Sequence, residues 1–279
     1  MFSVFIVYLI GQQSYLVVLL PVMALLVLSF VDDRRGLPSA MRFSAHLGAA
    51  LIFVLNAKIF SLTDLSLAFL ATIGLVWMTN LYNFMDGSDG LAGGMTLFGF
   101  GAYGVVSILN GDQAFGFAAF NFSIAAAALG FLFFNFHPAK IFLGDAGSVP
   151  LGFLAGAMGL QGWYLKLWPA WFPVLVFAPF IADATVTLIK RILRREKFWQ
   201  AHREHYYQRL VQMGFGHRKT ALMEYGLMAA SGVLAILLLH VPSWAQIAAL
   251  FVWSMVFIAL MVFIDLRWTA HVTTAERPI

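Results

Sequence analysis

Asn83-Phe84-Met85-Asp86-Gly87-Ser88-Asp89-Gly90-Leu91-Ala92-Gly93-Gly94 lies between two strongly apolar runs, 65–82 and 92–109. Two carboxylates and an amide among glycines are expensive to place beside a bilayer, and ionisable groups near membrane depth mark a pathway or a site. Glycines let backbone approach a ligand and permit turns that other residues resist. Asn83, Asp86 and Asp89 are spaced i, i+3 and i+6. A helix would put the first two on one face, whereas Gly87 and Gly90 favour a break. The alternative is a polar, glycine-rich loop between two spans.

Around this stretch the chain is apolar throughout. Of its 279 residues, 61% are hydrophobic and only 11% charged, and the mean hydropathy is +0.85. That balance excludes an ordinary soluble domain and predicts an all-α, polytopic membrane bundle of about nine transmembrane helices. Spans are expected at 14–31, 44–60, 65–82, 92–109, 115–134, 148–163, 170–190, 222–240 and 244–264. A short apolar segment at 2–10 precedes them. No linker or repeat divides the chain, so residues 1–279 read as one membrane-embedded domain. There is no cysteine, which removes disulfides and thiolate metal sites. The charge of +4 is not a nucleic-acid signal.

Nine spans sort the loops. Fifteen of the 17 Lys and Arg residues fall in loops 31–43, 135–147 and 190–220 and in the tail. Only Lys58 and Lys166 lie toward the other face, so the basic side is cytoplasmic. The pair Asp32-Asp33, the pair Asp86/Asp89, Asp145 and the histidine-bearing loop 202–217 are expected on that same side, facing one cytosolic site.

Asp and Asn oxygens are hard ligands that suit Mg²⁺, with Mn²⁺ as a substitute. Arg and His hold phosphate oxygens. Together they suggest phosphoryl transfer to or from a lipid. Each group also has a plainer reading. Asp32-Asp33 suits a solvated helix end, although adjacent carboxylates repel and a cation would relieve them. Gly144-Asp145-Ala146-Gly147 suits a turn in which Asp145 caps a helix. His202, Arg203, His205, Tyr206, Tyr207, Arg209 and His217 suit either an anion site or a basic segment lying on lipid headgroups. Asp183, inside the span 170–190, reads as a buried carboxylate bonded to a neighbouring helix.

Taken in order, Asp32-Asp33, the stretch 83–90, Pro138-Ala139-Lys140-Ile141-Phe142-Leu143-Gly144-Asp145-Ala146-Gly147-Ser148 and His202-Arg203-Glu204-His205-Tyr206-Tyr207-Gln208-Arg209-Leu210 resemble the bacterial polyprenyl-phosphate N-acetylhexosamine-1-phosphate transferases. That glycosyltransferase 4 superfamily also contains phospho-N-acetylmuramoyl-pentapeptide transferase. The resemblance implies that undecaprenyl or another polyprenyl phosphate attacks the β-phosphorus of a UDP-N-acetyl sugar and releases UMP at the cytoplasmic face of the bacterial inner membrane. It implies Asp145 and Asp86 as metal ligands, and Asp32 or Asp33 as the group that orients, or takes a proton from, the lipid phosphate. Asn83, Asp86 and Asp89 would line the nucleotide and metal site, and His202, Arg203 and His205 would contact the diphosphate or sugar. Tyr207 and Gln208 stand where the enterobacterial N-acetylglucosamine enzymes carry His. The histidine segment looks more like the branch that initiates O-antigen and lipopolysaccharide synthesis. A second copy of the chain is a further expected partner. Family members carry about two additional N-terminal spans, so a shortened form is also expected. The readings from other classes are an ion-coupled transporter, which predicts acidic groups near the midplane, and a non-catalytic family member.

Overall fold

The computed structural model describes residues 13–57, 59–60, 64–197 and 202–275. The apolar run 2–10, Lys58, most of the connection at 61–64 and Arg277 of the tail lie outside the described residues. Every regular element among the described residues is helical. In chain order they are α1 (Gln13–Arg35), α2 (Ser39–Asn56), α3 (Leu65–Phe84), α4 (Leu91–Leu109), α5 (Phe115–Asn135), α6 (Gly144–Tyr164), α7 (Trp171–Val176), α8 (Ala178–Leu193), α9 (Tyr206–Leu210), α10 (Gly216–Leu238) and α11 (Ser243–Ala275). A short 3-10 turn, Asp112–Ala114, joins α4 to α5, and a π turn, Val211–Phe215, joins α9 to α10.

Seven helices among the described residues are long and apolar enough to cross a membrane: Tyr15–Arg35, Ser39–Asn56, Leu65–Phe84, Leu91–Leu109, Asp112–Asn135, Tyr206–Leu238 and Ser243–Thr273. The expected spans 148–163 and 170–190 are helical but are not among the seven. The first is α6, whose Gly-rich sequence is less apolar and whose Gly152, Phe153, Ala157 and Met158 are buried in protein. An inner helix needs small residues for close approach more than it needs an oily surface. The second is split at Phe177 into α7 and the 16-residue α8, whose last turn carries Lys190 and Arg191.

The chain forms two compact units, one of Met1–Asp86 with Leu143–Pro173, the other of Gly87–Phe142 with Val174–Ile279. In the first unit α6 packs on α1 and α3, while α2 packs on both α1 and α3. Gly152 makes this contact possible, because a Cβ there would stand 2.6 Å from the backbone oxygen of Met78 and 2.9 Å from Thr79 Cα. Phe53 of α2 meets Phe153 of α6 edge-on with centroids 5.9 Å apart, and both side chains are fully buried.

In the second unit α4 is the inner helix and packs on α5 and α10. Two of its glycines face rings: a Cβ at Gly94 would lie 2.0 Å from Tyr225, and one at Gly99 2.3 Å from Phe177. By contrast α11 is 33 residues long, and only 11% of its apolar window is buried within the protein. Exposed Ile247, Phe251, Val252, Ile258 and Phe263 give it a lipid-facing surface. At about 1.5 Å per residue it reaches about 50 Å, longer than the ~30 Å hydrocarbon core.

Candidate functional site

The first unit gathers four of the expected carboxylates. α1 ends where Gly36 takes the left-handed conformation at φ +66°. Gly36 N–H donates to the Asp32 carbonyl at 2.8 Å, and the Leu37 N–H donates to the Asp32 carboxylate. The turn separates the two neighbours. Asp32 points inward, is 7% exposed, and meets Arg42 Nη1 of α2 at 3.4 Å. Asp33 is exposed, and its oxygens accept the N–H groups of Asp145 at 3.2 Å and Ala146 at 3.1 Å. Those are two of the unpaired donors at the start of α6. Asp33, rather than Asp145, therefore caps this helix. Gly144, at φ +61°, lets the cap close, since a Cβ there would lie 2.9 Å from Asp33 Oδ2.

Asp145 occupies the first turn of α6, with Arg42 Nη1 3.6 Å away and the Asn83 side chain hydrogen-bonded to it. Asn83 is in the last turn of α3, and Asp86 follows the helix end. Burial and then the Asp145 charge push Asp86 up to about 8. Burial, followed by Asp33, likewise raises Asp145 against the opposing effects of Asn83 and Arg42. Of these four carboxylates Asp32 and Asp145 pair with the Arg42 guanidinium, and each further negative charge in the group is costly.

No three Asp, Glu or His side chains among the described residues are placed to hold a metal ion unaided. The donor set still fits a hard divalent ion. Mg²⁺ is commonly held by one or two carboxylates while water and substrate phosphate complete its shell. Asp86 and Asp145, with the Asn83 amide, supply that set, and the raised proton affinity of both carboxylates marks a place where positive charge is wanted.

The second unit holds the remaining expected residues in two networks. Asp89 lies three residues after Asp86 but belongs to this unit. Its Oδ2 meets His137 Nδ1 at 2.7 Å and accepts the Ala139 N–H at 3.1 Å. Burial raises its proton affinity, but these two hydrogen bonds together with the His217 and His137 charges outweigh it and hold Asp89 below the usual carboxylate range. His137 stacks on His217 with centroids 5.9 Å apart, and His217 Nδ1 lies 2.9 Å from Ser88 Oγ. Gly90, at φ +75°, donates its N–H to Asn135 at 3.0 Å and accepts from the Tyr225 hydroxyl at 2.7 Å. Asn135 and Tyr225 carried no signal in the sequence, because their partners lie 45 and 135 residues away.

In the other network Asp183 organises the histidine segment. Its carboxylate accepts the backbone N–H groups of Tyr206 at 2.9 Å and Tyr207 at 3.0 Å, and the Thr187 hydroxyl at 3.2 Å. His205 Nδ1 lies 3.1 Å from the same carboxylate. His205 is buried at 3% exposure and stacks on Tyr207. His202 is tilted over His205 at 4.8 Å. Burial, then the His205 and Arg191 charges, drive His202 down to about 4. The Arg203 side chain is exposed. Behind the segment Glu204 pairs with Arg191 and Arg194, and Asp265 of α11 pairs with Lys190 and Arg209. Asp183 thus has the expected structural bonds, and its partner is the backbone at the start of α9.

Residues 15–162 match the profile of glycosyl transferase family 4. The chain is 31% identical over 241 residues to a probable undecaprenyl-phosphate N-acetylglucosaminyl 1-phosphate transferase of Bacillus subtilis, covering 82% of this chain and 67% of that protein. It is 29% identical over 230 residues to a decaprenyl-phosphate N-acetylglucosaminephosphotransferase of Mycobacterium leprae, covering 71% and 58%. Over 150 residues it is 35% identical to a phospho-N-acetylmuramoyl-pentapeptide-transferase of Staphylococcus aureus, covering 45% and 46%. The matched stretches therefore span about half to two thirds of these relatives.

Proposed function

The chain belongs to glycosyl transferase family 4, and from that premise we propose that it moves an N-acetylhexosamine-1-phosphate from a UDP-sugar to a polyprenyl phosphate, with release of UMP. The observation that carries the reading is the gathering of Asp32, Asp33, Asp86 and Asp145 around Asn83 and Arg42 in one unit of a multi-pass membrane protein. The lipid phosphate oxygen bonds to the β-phosphorus while the bond from that phosphorus to the bridging oxygen breaks, and UMP departs with the electron pair. The reaction takes place at the cytoplasmic face of the bacterial inner membrane and opens O-antigen or another envelope polysaccharide. Sugars of the N-acetylhexosamine class and an undecaprenyl carrier are the substrates.

Asp86 and Asp145 would hold Mg²⁺, or Mn²⁺ in its place, which would supply positive charge against the diphosphate. The chain's own groups do the positioning. Asp33, through the α6 N-terminus, holds Asp145 in place. Asp32, paired with Arg42, orients the lipid phosphate and limits its approach to one side. A phosphate nucleophile is largely ionised near neutral pH, so a strong base is not required. Asn83 lines the nucleotide side, and Asp89 is assigned to the nucleotide by its motif. His202, Arg203 and His205 are assigned to the diphosphate or sugar by their motif, and Asp183 anchors the segment that carries them.

The test is UMP release by purified protein with Mg²⁺, polyprenyl phosphate and a panel of UDP-N-acetyl sugars. Lipid-dependent UMP formation, lost in Asp145→Asn and in chelator, is the expected result. UMP formation without lipid, or full activity of Asp145→Asn, refutes the assignment.

A further inference from the structure

The second unit contains a cavity of about 280 Å³ that the reading above does not use. Asp183 of α8, Tyr206 of α9, Glu224 of α10 and Phe257 of α11 line it. Asp183, Tyr206 and Phe257 are buried and form its inner wall. Met223, Gly226 and Leu260 also line it but are exposed, so its mouth lies on the outer surface of α10 and α11. Both helices are long and apolar enough to cross a membrane, and a mouth on their outer surface opens to lipid.

The two carboxylates of this cavity differ. Asp183 is engaged by Tyr206, Tyr207, Thr187 and His205. Glu224 is half-buried, and no hydrogen bond or ion pair joins its carboxylate to any described residue. Asp183 is the one charge among the described residues that acts on it. Arg218 and Lys219 mark the membrane edge of α10, and Glu224 lies about 8 Å further along the axis. A carboxylate at that depth ordinarily pairs with another group or lines a path. Ionised, Glu224 lacks a cation; protonated, its O–H lacks an acceptor. An apolar residue would avoid either cost, so the open carboxylate calls for a ligand.

The surroundings select the ligand's chemistry. Two carboxylates repel phosphate and other anions. One free carboxylate among Met, Leu and Phe side chains offers too few oxygens for a hard metal ion, which takes about six. A plain acyl chain would leave Glu224 unpaired. An organic ammonium on an apolar body satisfies every wall. Its charge pairs with Glu224, Tyr206 and Phe257 supply aromatic surface that attracts a cation, and its body fills the apolar remainder. The cavity sits just below the usual range for small-molecule sites, about 300–1,000 Å³, so that body is small. An aminophospholipid is unsuited, because it would bring its phosphate beside Asp183.

We propose that this cavity binds a small hydrophobic amine that enters from the bilayer, with its ammonium paired to the Glu224 carboxylate. An amine that arrives neutral takes the proton of the acid, and one that arrives charged meets the carboxylate. Both routes end in the same ion pair, and no other bond changes. Tyr206 is part of the wall and its N–H is held by Asp183, so an occupant fills the space under the histidine segment and holds α9 closed. The site goes beyond the transferase reading and does not depend on it.

Amide hydrogen exchange at Tyr206 and Leu210 reads occupancy without any turnover. The probe is octylammonium, added to the full chain in nanodiscs of phosphatidylcholine; 1-octanol and octanoate carry the same chain without the positive charge. At a hundred times its Kd, a ligand that leaves when α9 opens makes that opening up to about a hundred-fold rarer. Octylammonium should therefore slow exchange at both amides to a plateau, and 1-octanol and octanoate should not. Glu224→Gln removes the charge without breaking a bond within the protein, and should raise the half-saturating concentration at least about ten-fold. Gly226 has open space around it, so Gly226→Leu crowds the mouth while keeping Glu224, and should weaken the response as well. Equal protection by 1-octanol, or no saturable protection of wild type by octylammonium, overturns the site, and these arms need no variant to fold. A wild-type response in Glu224→Gln or in Gly226→Leu overturns it too, as does protection by phosphatidylethanolamine nanodiscs with no probe added.

Discussion

Removing the Asp183 carboxylate should release the histidine segment from the second unit. α9 is five residues long, far too short to hold itself together. Asp183 accepts the N–H groups of its first two residues, Tyr206 at 2.9 Å and Tyr207 at 3.0 Å, through different oxygens. Asp183→Ala strands both donors in a buried site. A hydrogen bond to a charged group contributes about 1.5–3 kcal/mol, so two of them give at least about 3 kcal/mol. That corresponds to about a hundred-fold more frequent local opening, at 1.4 kcal/mol per decade. Asp183→Asn keeps one acceptor oxygen, loses one bond, and should open about ten-fold more often. Amide hydrogen exchange resolved at Tyr206 and Tyr207 reads both numbers, with the amides of α4 as an internal reference. Protection within about three-fold of wild type in Asp183→Ala, a change of less than about 0.7 kcal/mol, would refute the reasoning.

Three further outcomes follow from the same geometry. Gly152→Ala forces a Cβ to within 2.6 Å of the Met78 backbone oxygen, so the α3–α6 contact must part. Denaturation in detergent should show a loss of about 1–3 kcal/mol, whereas Gly48→Ala, with open space around it, should change little. Gly144→Ala meets both a positive φ and Asp33 Oδ2, and Asp33→Ala removes the same cap, so each should cost about 1 kcal/mol and the double variant little more than one of them. His202, held at about 4 in the folded protein against 6.5 ordinarily, resists a proton that the unfolded chain accepts. Its contribution is full above pH 6.5 and is lost as pH falls from there toward 4. Hydrogen exchange around Glu204 and His205 should accelerate across that window in wild type and lose that acceleration in His202→Gln.

The helices were legible because apolar runs and their breaks state where backbone must be hydrogen-bonded internally. Expected spans at 65–82, 92–109 and 115–134 are Leu65–Phe84, Leu91–Leu109 and Phe115–Asn135. The break at Gly87 and Gly90 was also legible. Hydropathy says less about helices buried in protein, which is why α6 and the α7–α8 pair were expected as spans but fall short in apolarity or length. Partners were less legible still. Asp32 and Asp33 are adjacent and chemically identical, yet one turn sends the first to Arg42 and the second to the α6 N-terminus. Asp89 was grouped with Asp86 by spacing, while its partner His137 is 48 residues away. Asp183 was readable as a bonded carboxylate, but nothing local names Tyr206 and Tyr207 as its donors.

The measurement that meets the central claim most directly is the fate of the β-phosphorus. UDP-N-acetylglucosamine labelled at that atom is incubated with the purified chain, Mg²⁺ and polyprenyl phosphate, and the lipid extract is counted against UMP released. Sugar-1-phosphate transfer predicts label in the lipid in one-to-one ratio with UMP, and none with Asp145→Asn. Label that stays on the nucleotide while sugar reaches the lipid, or lipid that remains unlabelled with every UDP-N-acetyl sugar tried, would contradict it.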